Sequence, residues 1–406
     1  MEDRTKKRER DLVWPSLSAM DRRERLSATI LASGTLLCGL DLILSPQSSA
    51  HTQNDPFAGA KLLGTVEFTG EGKPPMDQPV GEELDGRLFT DLSGITPDNS
   101  VIPTDRFYIR TRASQLLDLR KPWAIRLGRP GKPVNITMHD LVREAEPQGL
   151  HLRECAGNSL SAHFGMIGVA DWAGVPLGTI LDRALGSGRD SRVLISGFDI
   201  YATKTVTSVP GASWIFAPND LHAAGAFLAT QMNSKPLTRD HGDPVRLIVP
   251  NWYGCTCIKW VDEISFANDA APTTSQMKEY ASRTHQQGTP ELARDYEPAV
   301  LDPAAMPIRI EKWIASGRLK YRVVGIVWGG TQAVKTLTIQ FNPGESYIPV
   351  EMIRPATSNF WGFWSCTWTP QRPGTYAIRM RVADSGVRTR RLDNGFYARS
   401  VEIREI

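Results

Sequence analysis

The chain has 406 residues, 41% hydrophobic and 22% charged, enough apolar material for two or three compact domains, which excludes disordered and collagen-like classes. Its 47 Lys and Arg against 44 Asp and Glu leave a net charge of +3, too little for the broad basic field that holds a nucleic-acid backbone, so no nucleic-acid partner is expected. Five cysteines, at 38, 155, 255, 257 and 366, are odd in number and too sparse for a disulfide framework, and leave room for one chemically special thiol.

Residues 1–25 carry eight Lys and Arg and six Asp and Glu, and Arg22-Arg23 precede a mostly apolar run over 26–44 and the small-residue exit Ser48-Ser49-Ala50. That order resembles a bacterial twin-arginine export signal over 1–50, which implies a periplasmic protein carried across already folded and cofactor-loaded. Asp21 and Asp41 depart from such signals, and a retained anchor or a cytoplasmic amphipathic helix are the alternatives. Residues 51–100, rich in Gly, Pro and Asp, read as an extended lead-in. From Phe107 to about Phe266, β-rich runs at 123–127, 193–195 and 245–249 alternate with helix-like pieces at 176–185 and 221–232, which predicts an α+β domain. After an Ala-, Thr- and Pro-rich linker the period becomes two: Tyr321 and Val323; Leu337, Ile339 and Phe341; Tyr376, Ile378, Met380 and Val382. Short alternating runs between Gly-Gly and Pro-Gly turns predict a β-sandwich.

Three runs carry candidate chemistry. In Glu154-Cys155-Ala156-Gly157-Asn158 the small residues let backbone approach a ligand, although the cysteine by itself reads rather as a buried inert thiol. In Asp240-His241-Gly242-Asp243-Pro244-Val245-Arg246 a turn feeding a strand offers an imidazole and a forked guanidinium to one anionic group, against the alternative of a plain surface turn. Gly254-Cys255-Thr256-Cys257-Ile258-Lys259-Trp260 adds an ammonium and loop amides. Its Cys-x-Cys pair lacks a second pair at zinc-ligand spacing.

Taken in order, these runs resemble the sulfite oxidase family of molybdopterin-dependent oxidoreductases, which includes the molybdenum domain of assimilatory nitrate reductase. The likeness is carried by Phe107-Tyr108-Ile109-Arg110, Cys155-Ala156-Gly157-Asn158, Trp172-Ala173-Gly174-Val175-Pro176-Leu177, Gly197-Phe198-Asp199, Met232-Asn233, the His241 to Arg246 run and Lys259-Trp260. It implies an α+β molybdopterin-binding domain at 101–290, followed at 305–406 by an all-β immunoglobulin-like sandwich of the kind that pairs into a homodimer. It also implies a Mo-molybdopterin cofactor with one pyranopterin dithiolene, and Cys155 as the metal's thiolate ligand. A soft thiolate suits a metal already bound to sulfur. By the same resemblance Tyr108, Ile109, Arg110, Thr111 and Arg112, with Asp199, His241, Arg246, Cys257, Ile258 and Lys259, grip the pterin and its phosphate. Arg110, Tyr280 and Trp172 join Cys155 around the substrate.

The chain departs from the family where sulfite oxidases carry anion-binding arginines: Ser159-Leu160 and Gly362 stand there instead. Each lost charge-assisted contact removes about 1.5 to 3 kcal/mol of attraction for a dianion. Arg112 replaces a histidine and partly restores charge, and His163 is either a donor near the metal or a satisfied core histidine. The basic run Arg388-Thr389-Arg390-Arg391 reads as a solvated strand end, or as a face for an acidic electron-transfer partner. No segment resembles a haem site, so no haem is expected and electrons pass to an external carrier such as cytochrome c. The resemblance implies oxygen-atom transfer between water and a small oxyanion or sulfur compound. The alternatives are a periplasmic sulfoxide (methionine sulfoxide) reductase and a non-catalytic cofactor- or partner-binding protein.

Overall fold

The computed structural model describes residues 55–72, 76, 78–79, 86–111, 117–118, 120–129, 132–184, 191–199 and 212–406. The expected 1–50 leader with its paired arginines, and Arg112, lie outside the described residues. Among the described residues no helix is long and apolar enough to cross a membrane.

The expected β-rich runs become strands because their apolar side chains alternate into covered faces. Ala124–Arg129, Arg192–Gly197 and Val261–Ala267 sit together in one five-stranded sheet, with Lys132–Thr137 and Ser213–Phe216 on its edges. A second sheet places Lys235–Pro236, Phe227–Met232, Ile167–Pro176 and Glu146–Glu154 side by side, with Arg246–Ile248 also pairing on Phe227–Met232. The 176–185 expectation is met by a helix at Leu177–Ala184. The 221–232 piece, expected to be helical, is not one element: a helix at Pro218–Ala224 stops at Gly225, whose φ of 64° is the left-handed cap that favours glycine. Phe227–Met232 then runs as a central, mostly buried strand. An apolar run this short fits either period, and the glycine decides where one ends.

Two further five-stranded sheets take up 304–403. In the first, Ala304–Ala315 is flanked by Lys61–Val66 and Arg318–Trp328, followed by Gly362–Trp368 and Glu351–Arg354. The second orders Ile348–Pro349, Leu337–Gln340, Gly374–Val382, Arg399–Ile403 and Phe68–Thr69. Tyr376, Ile378, Met380 and Val382 are buried and Arg379 and Arg381 exposed, the alternation expected of a strand covered on one face. Trp368 of the first sheet stacks on Phe341 at 4.3 Å and meets Tyr376 of the second edge-on at 4.8 Å. The 51–100 lead-in thus contributes strands to both of these sheets.

Candidate active site

Cys155 follows the last residue of Glu146–Glu154, where the strand gives way to a turn. Its amide donates to Met166 O at 2.9 Å, and the Gly157 amide approaches its Sγ at 3.4 Å. The turn is fixed from below by Glu154, a fully buried carboxylate that accepts from Asn158 Nδ2 (3.2 Å), Trp328 Nε1 (2.9 Å) and Tyr397 Oη (2.8 Å). The last two donors belong to the 304–403 region, so the Cys155 turn is anchored to it.

Cys155 opens onto a cavity with about 970 Å³ of empty space, its mouth included. Tyr108, Ile109, Arg110 and Thr111 form one wall, held by paired hydrogen bonds between Ile109 and Leu88. Asp199 enters from the end of Arg192–Gly197, and His241 and Arg246 from the turn before Arg246–Ile248. Cys257, Ile258 and Lys259 follow on the next loop, and Tyr280 closes the helix Ser275–Tyr280. The predicted residues therefore meet at one cavity, with two exceptions among those expected there. Arg112 is outside the described residues. Trp172 does not line the cavity, because strand alternation turns it into the core, 1% exposed, against the edge of Phe107 (6.2 Å) and under the Arg246 guanidinium (5.5 Å). It supports the wall from behind.

His163 also stays outside: its Nδ1 lies 3.2 Å from Glu71 Oε2 and its Nε2 3.0 Å from Gly72 O, so it fastens the lead-in. The basic run near 390 is not a solvated strand end. Arg390–Asp393 is a short helix in which Arg390 pairs with Asp302 at 2.7 Å and Arg391 is buried. Gly362 has no room for a side chain, since a Cβ there would come 2.5 Å from Ala356 N and 2.6 Å from Arg354 O. An arginine is sterically excluded at that position. Motif reading missed Arg153, a fully buried lining residue that donates to Val249 O at 2.8 Å and to the Cys257 thiol.

The electrostatics of the cavity are lopsided. Among the described residues, Arg110, Arg153, Arg246 and Lys259 line it against Asp199 and Asp240 as carboxylates. Burial and the neighbouring Arg246 push Lys259 down to about 7, and burial chiefly brings Arg246 to about 10. Burial, then the charges of Arg246 and Lys259, hold His241 down at about 3, so it is neutral. Its Nε2 therefore donates to Phe107 O (3.2 Å) while Nδ1 accepts from the Thr238 hydroxyl (2.7 Å). Half-buried cations whose charge is costly are ones that an arriving anion would stabilise. Among the described residues, Asp199 Oδ1, Arg246 Nε and Arg153 Nε are buried without a partner, and burial raises Asp199 to about 6. Gly254 completes the cradle, since a Cβ there would come 3.1 Å from both the Tyr108 hydroxyl and Glu154 O. An elongated ligand with an anionic end and ring N–H donors fits this set of groups, and a thiolate at Cys155 would face it.

Residues 114–275 match the family model of the oxidoreductase molybdopterin binding domain. The chain is 26% identical over 262 residues to the mitochondrial sulfite oxidase of Macaca fascicularis, covering 59% of this chain and 47% of that protein. It is 24% identical over 365 residues to the sulfite oxidase of Gallus gallus (82% and 74%), and 24% over 337 residues to a nitrate reductase [NADPH] of Leptosphaeria maculans (74% and 35%). The chain spans about half the length of the mammalian relatives it matches. Among solved structures, the sulfane dehydrogenase SoxCD of Paracoccus pantotrophus shares the fold with a TM-score of 0.60, at 16% identity, over 88% of this chain and 98% of that one.

Proposed function

The chain is a member of the sulfite oxidase family of molybdopterin-dependent oxidoreductases, and from that premise we propose that it holds one pyranopterin molybdenum cofactor in the cavity above, with Cys155 as the metal's thiolate ligand. Its reaction would be oxygen-atom transfer to a small sulfur oxyanion such as sulfite. The observation that carries this reading is the convergence of Cys155, Arg110, Asp199, Arg246, Lys259 and Tyr280, from six separate segments, on one cation-rich cavity.

When bound, the cofactor supplies two-electron oxygen-atom exchange between water and substrate. Lys259 and Arg246 hold its phosphate as charge-assisted donors, and neutral His241 keeps the Phe107 carbonyl, and with it the Tyr108–Thr111 wall, in place. Asp199, whose Oδ1 is buried without a partner among the described residues, would be the acceptor for a ring N–H of the cofactor. Arg110 and Tyr280 serve the substrate: burial raises the Tyr280 phenol far above its ordinary value, so it stays protonated and donates to a substrate oxygen. Trp172 acts as a positioning residue beneath Phe107 and Arg246. Electrons would pass to an external carrier such as cytochrome c. The 304–403 sheets serve as an immunoglobulin-like unit able to pair into a homodimer, and residues 1–50 direct export to the periplasm.

Ser159, Leu160 and Gly362, where arginines would bind an oxyanion, favour a second reading, sulfoxide reduction, because a neutral substrate needs fewer cations. Chain purified from a molybdenum-replete host is expected to hold one molybdenum per polypeptide and to reduce cytochrome c in a sulfite-dependent way. Dye-driven sulfoxide reduction without sulfite oxidation would select the second reading. Bound metal with neither activity would leave a cofactor-binding role.

A further inference from the structure

Beside Cys155 stands a cation that no motif marks. Arg283 lies on the Ser282–Thr284 turn just after Tyr280, and its guanidinium sits over the Tyr280 ring at 5.4 Å. Its Nη1 and the Cys155 Sγ lie 3.4 and 3.7 Å from the point where a Cβ on Gly157 would stand, so the two flank the same glycine. Burial raises the Glu279 carboxyl, and the positive charges of Arg110 and Arg283 both oppose that rise, so the two guanidiniums share one carboxylate neighbour. Arg283 itself is exposed to solvent. Its main chain is not left to drift: buried Arg391 donates through one nitrogen to Arg283 O (2.7 Å) and to Ala156 O (3.0 Å), clamping the turn against the Cys155 loop.

We propose that Arg283 is the second anion-binding cation of the substrate site, opposite Arg110 and beside Tyr280, and that it selects for small divalent oxyanions. This deepens the functional reading above and rests on it. The geometry explains how the chain dispenses with cations at 159, 160 and 362. Gly362 has no space for one, and Leu160 is 38% exposed on a turn whose Ser159 hydroxyl pairs with Ser161. A solvent-facing arginine on the turn after Tyr280 meets an incoming dianion before the half-buried Arg110 does.

The test uses the molybdenum-loaded chain, in which the cofactor already occupies the Lys259 end, and titrates sulfate by calorimetry into wild type, Arg283→Gln and Arg283→Lys. Wild type is expected to bind sulfate, with Kd raised roughly tenfold or more in Arg283→Gln and less in Arg283→Lys, the loss of one charge-assisted contact. In turnover, KM for sulfite should rise more than kcat falls, while KM for a neutral sulfoxide does not move. Unchanged molybdenum content in the variants establishes that the fold and cofactor site are intact. Equal sulfate affinity in wild type and Arg283→Gln, or no sulfate binding by wild type, overturns the proposal. Sulfate binding that depends on Arg283 in a chain that does not oxidise sulfite would leave the anion site standing and remove only the functional reading.

Discussion

Lys259 shows how one residue records the ligand its pocket is built for. Its ammonium donates to Asp240 O at 2.9 Å and to Thr111 O and lies 4.4 Å from the Trp260 ring, yet burial and Arg246 hold it down at about 7. A lysine lowered in the folded chain binds fewer protons there than when unfolded, so stability rises with pH between the folded and the ordinary value. Cofactor-free chain is therefore expected to melt at progressively higher temperature from about pH 7 to pH 9, the upper bound being the ordinary value of 9.0 for Cys255, whose thiol burial raises. The slope is about 1.4 kcal/mol per pH unit at most. Asp199, raised to about 6, titrates below this window. Added phosphate should flatten the slope by restoring the Lys259 charge, which melting curves with and without phosphate will measure. Cys155, His241, Arg246 and Lys259 stood out in the sequence through the family resemblance of the runs that hold them, not through local spacing alone. Arg153, Arg283 and Arg391 did not, because their roles come from contacts across 104, 108 and 235 positions that no local pattern encodes.

At the scale of elements, the strand Glu146–Glu154 does two jobs: it ends at the reactive cysteine, and its last residue ties that end to the 304–403 sheets. Glu154→Ala would leave the Asn158 amide, the Trp328 indole and the Tyr397 hydroxyl without their acceptor in a dry interior. The expected loss is about 3 kcal/mol of unfolding free energy in urea denaturation, with Glu154→Gln losing less because an amide oxygen still accepts. Strands with strict alternation, such as Gly374–Val382, could be read from the sequence almost residue by residue. The helix-to-strand change at Gly225 could not, since Leu221 to Met232 fits both periods and only pairing with Ile167–Pro176 makes its second half a strand. The helical end of the basic run is a similar case: Arg391 is buried because Tyr253 and Phe396 stack on its guanidinium at 4.5 and 5.2 Å, a surrounding invisible to charge patterning.

For the whole molecule, the two halves of the chain are not independent modules strung on a linker. Lys61–Val66 and Phe68–Thr69 reach forward into the sheets of 304–403, and Arg391 and Tyr397 reach back to the Cys155 turn. The Cys155 turn thus depends on contacts from the 304–403 region and from Arg391, which the sequence pattern does not encode. The central claim is the bond between the Cys155 sulfur and molybdenum. X-ray absorption at the molybdenum edge of wild type and Cys155→Ala tests it directly. Loss of one sulfur neighbour in the variant, with pterin retained and turnover reduced to background, is expected; the same sulfur count in both proteins, or undiminished turnover, would contradict it.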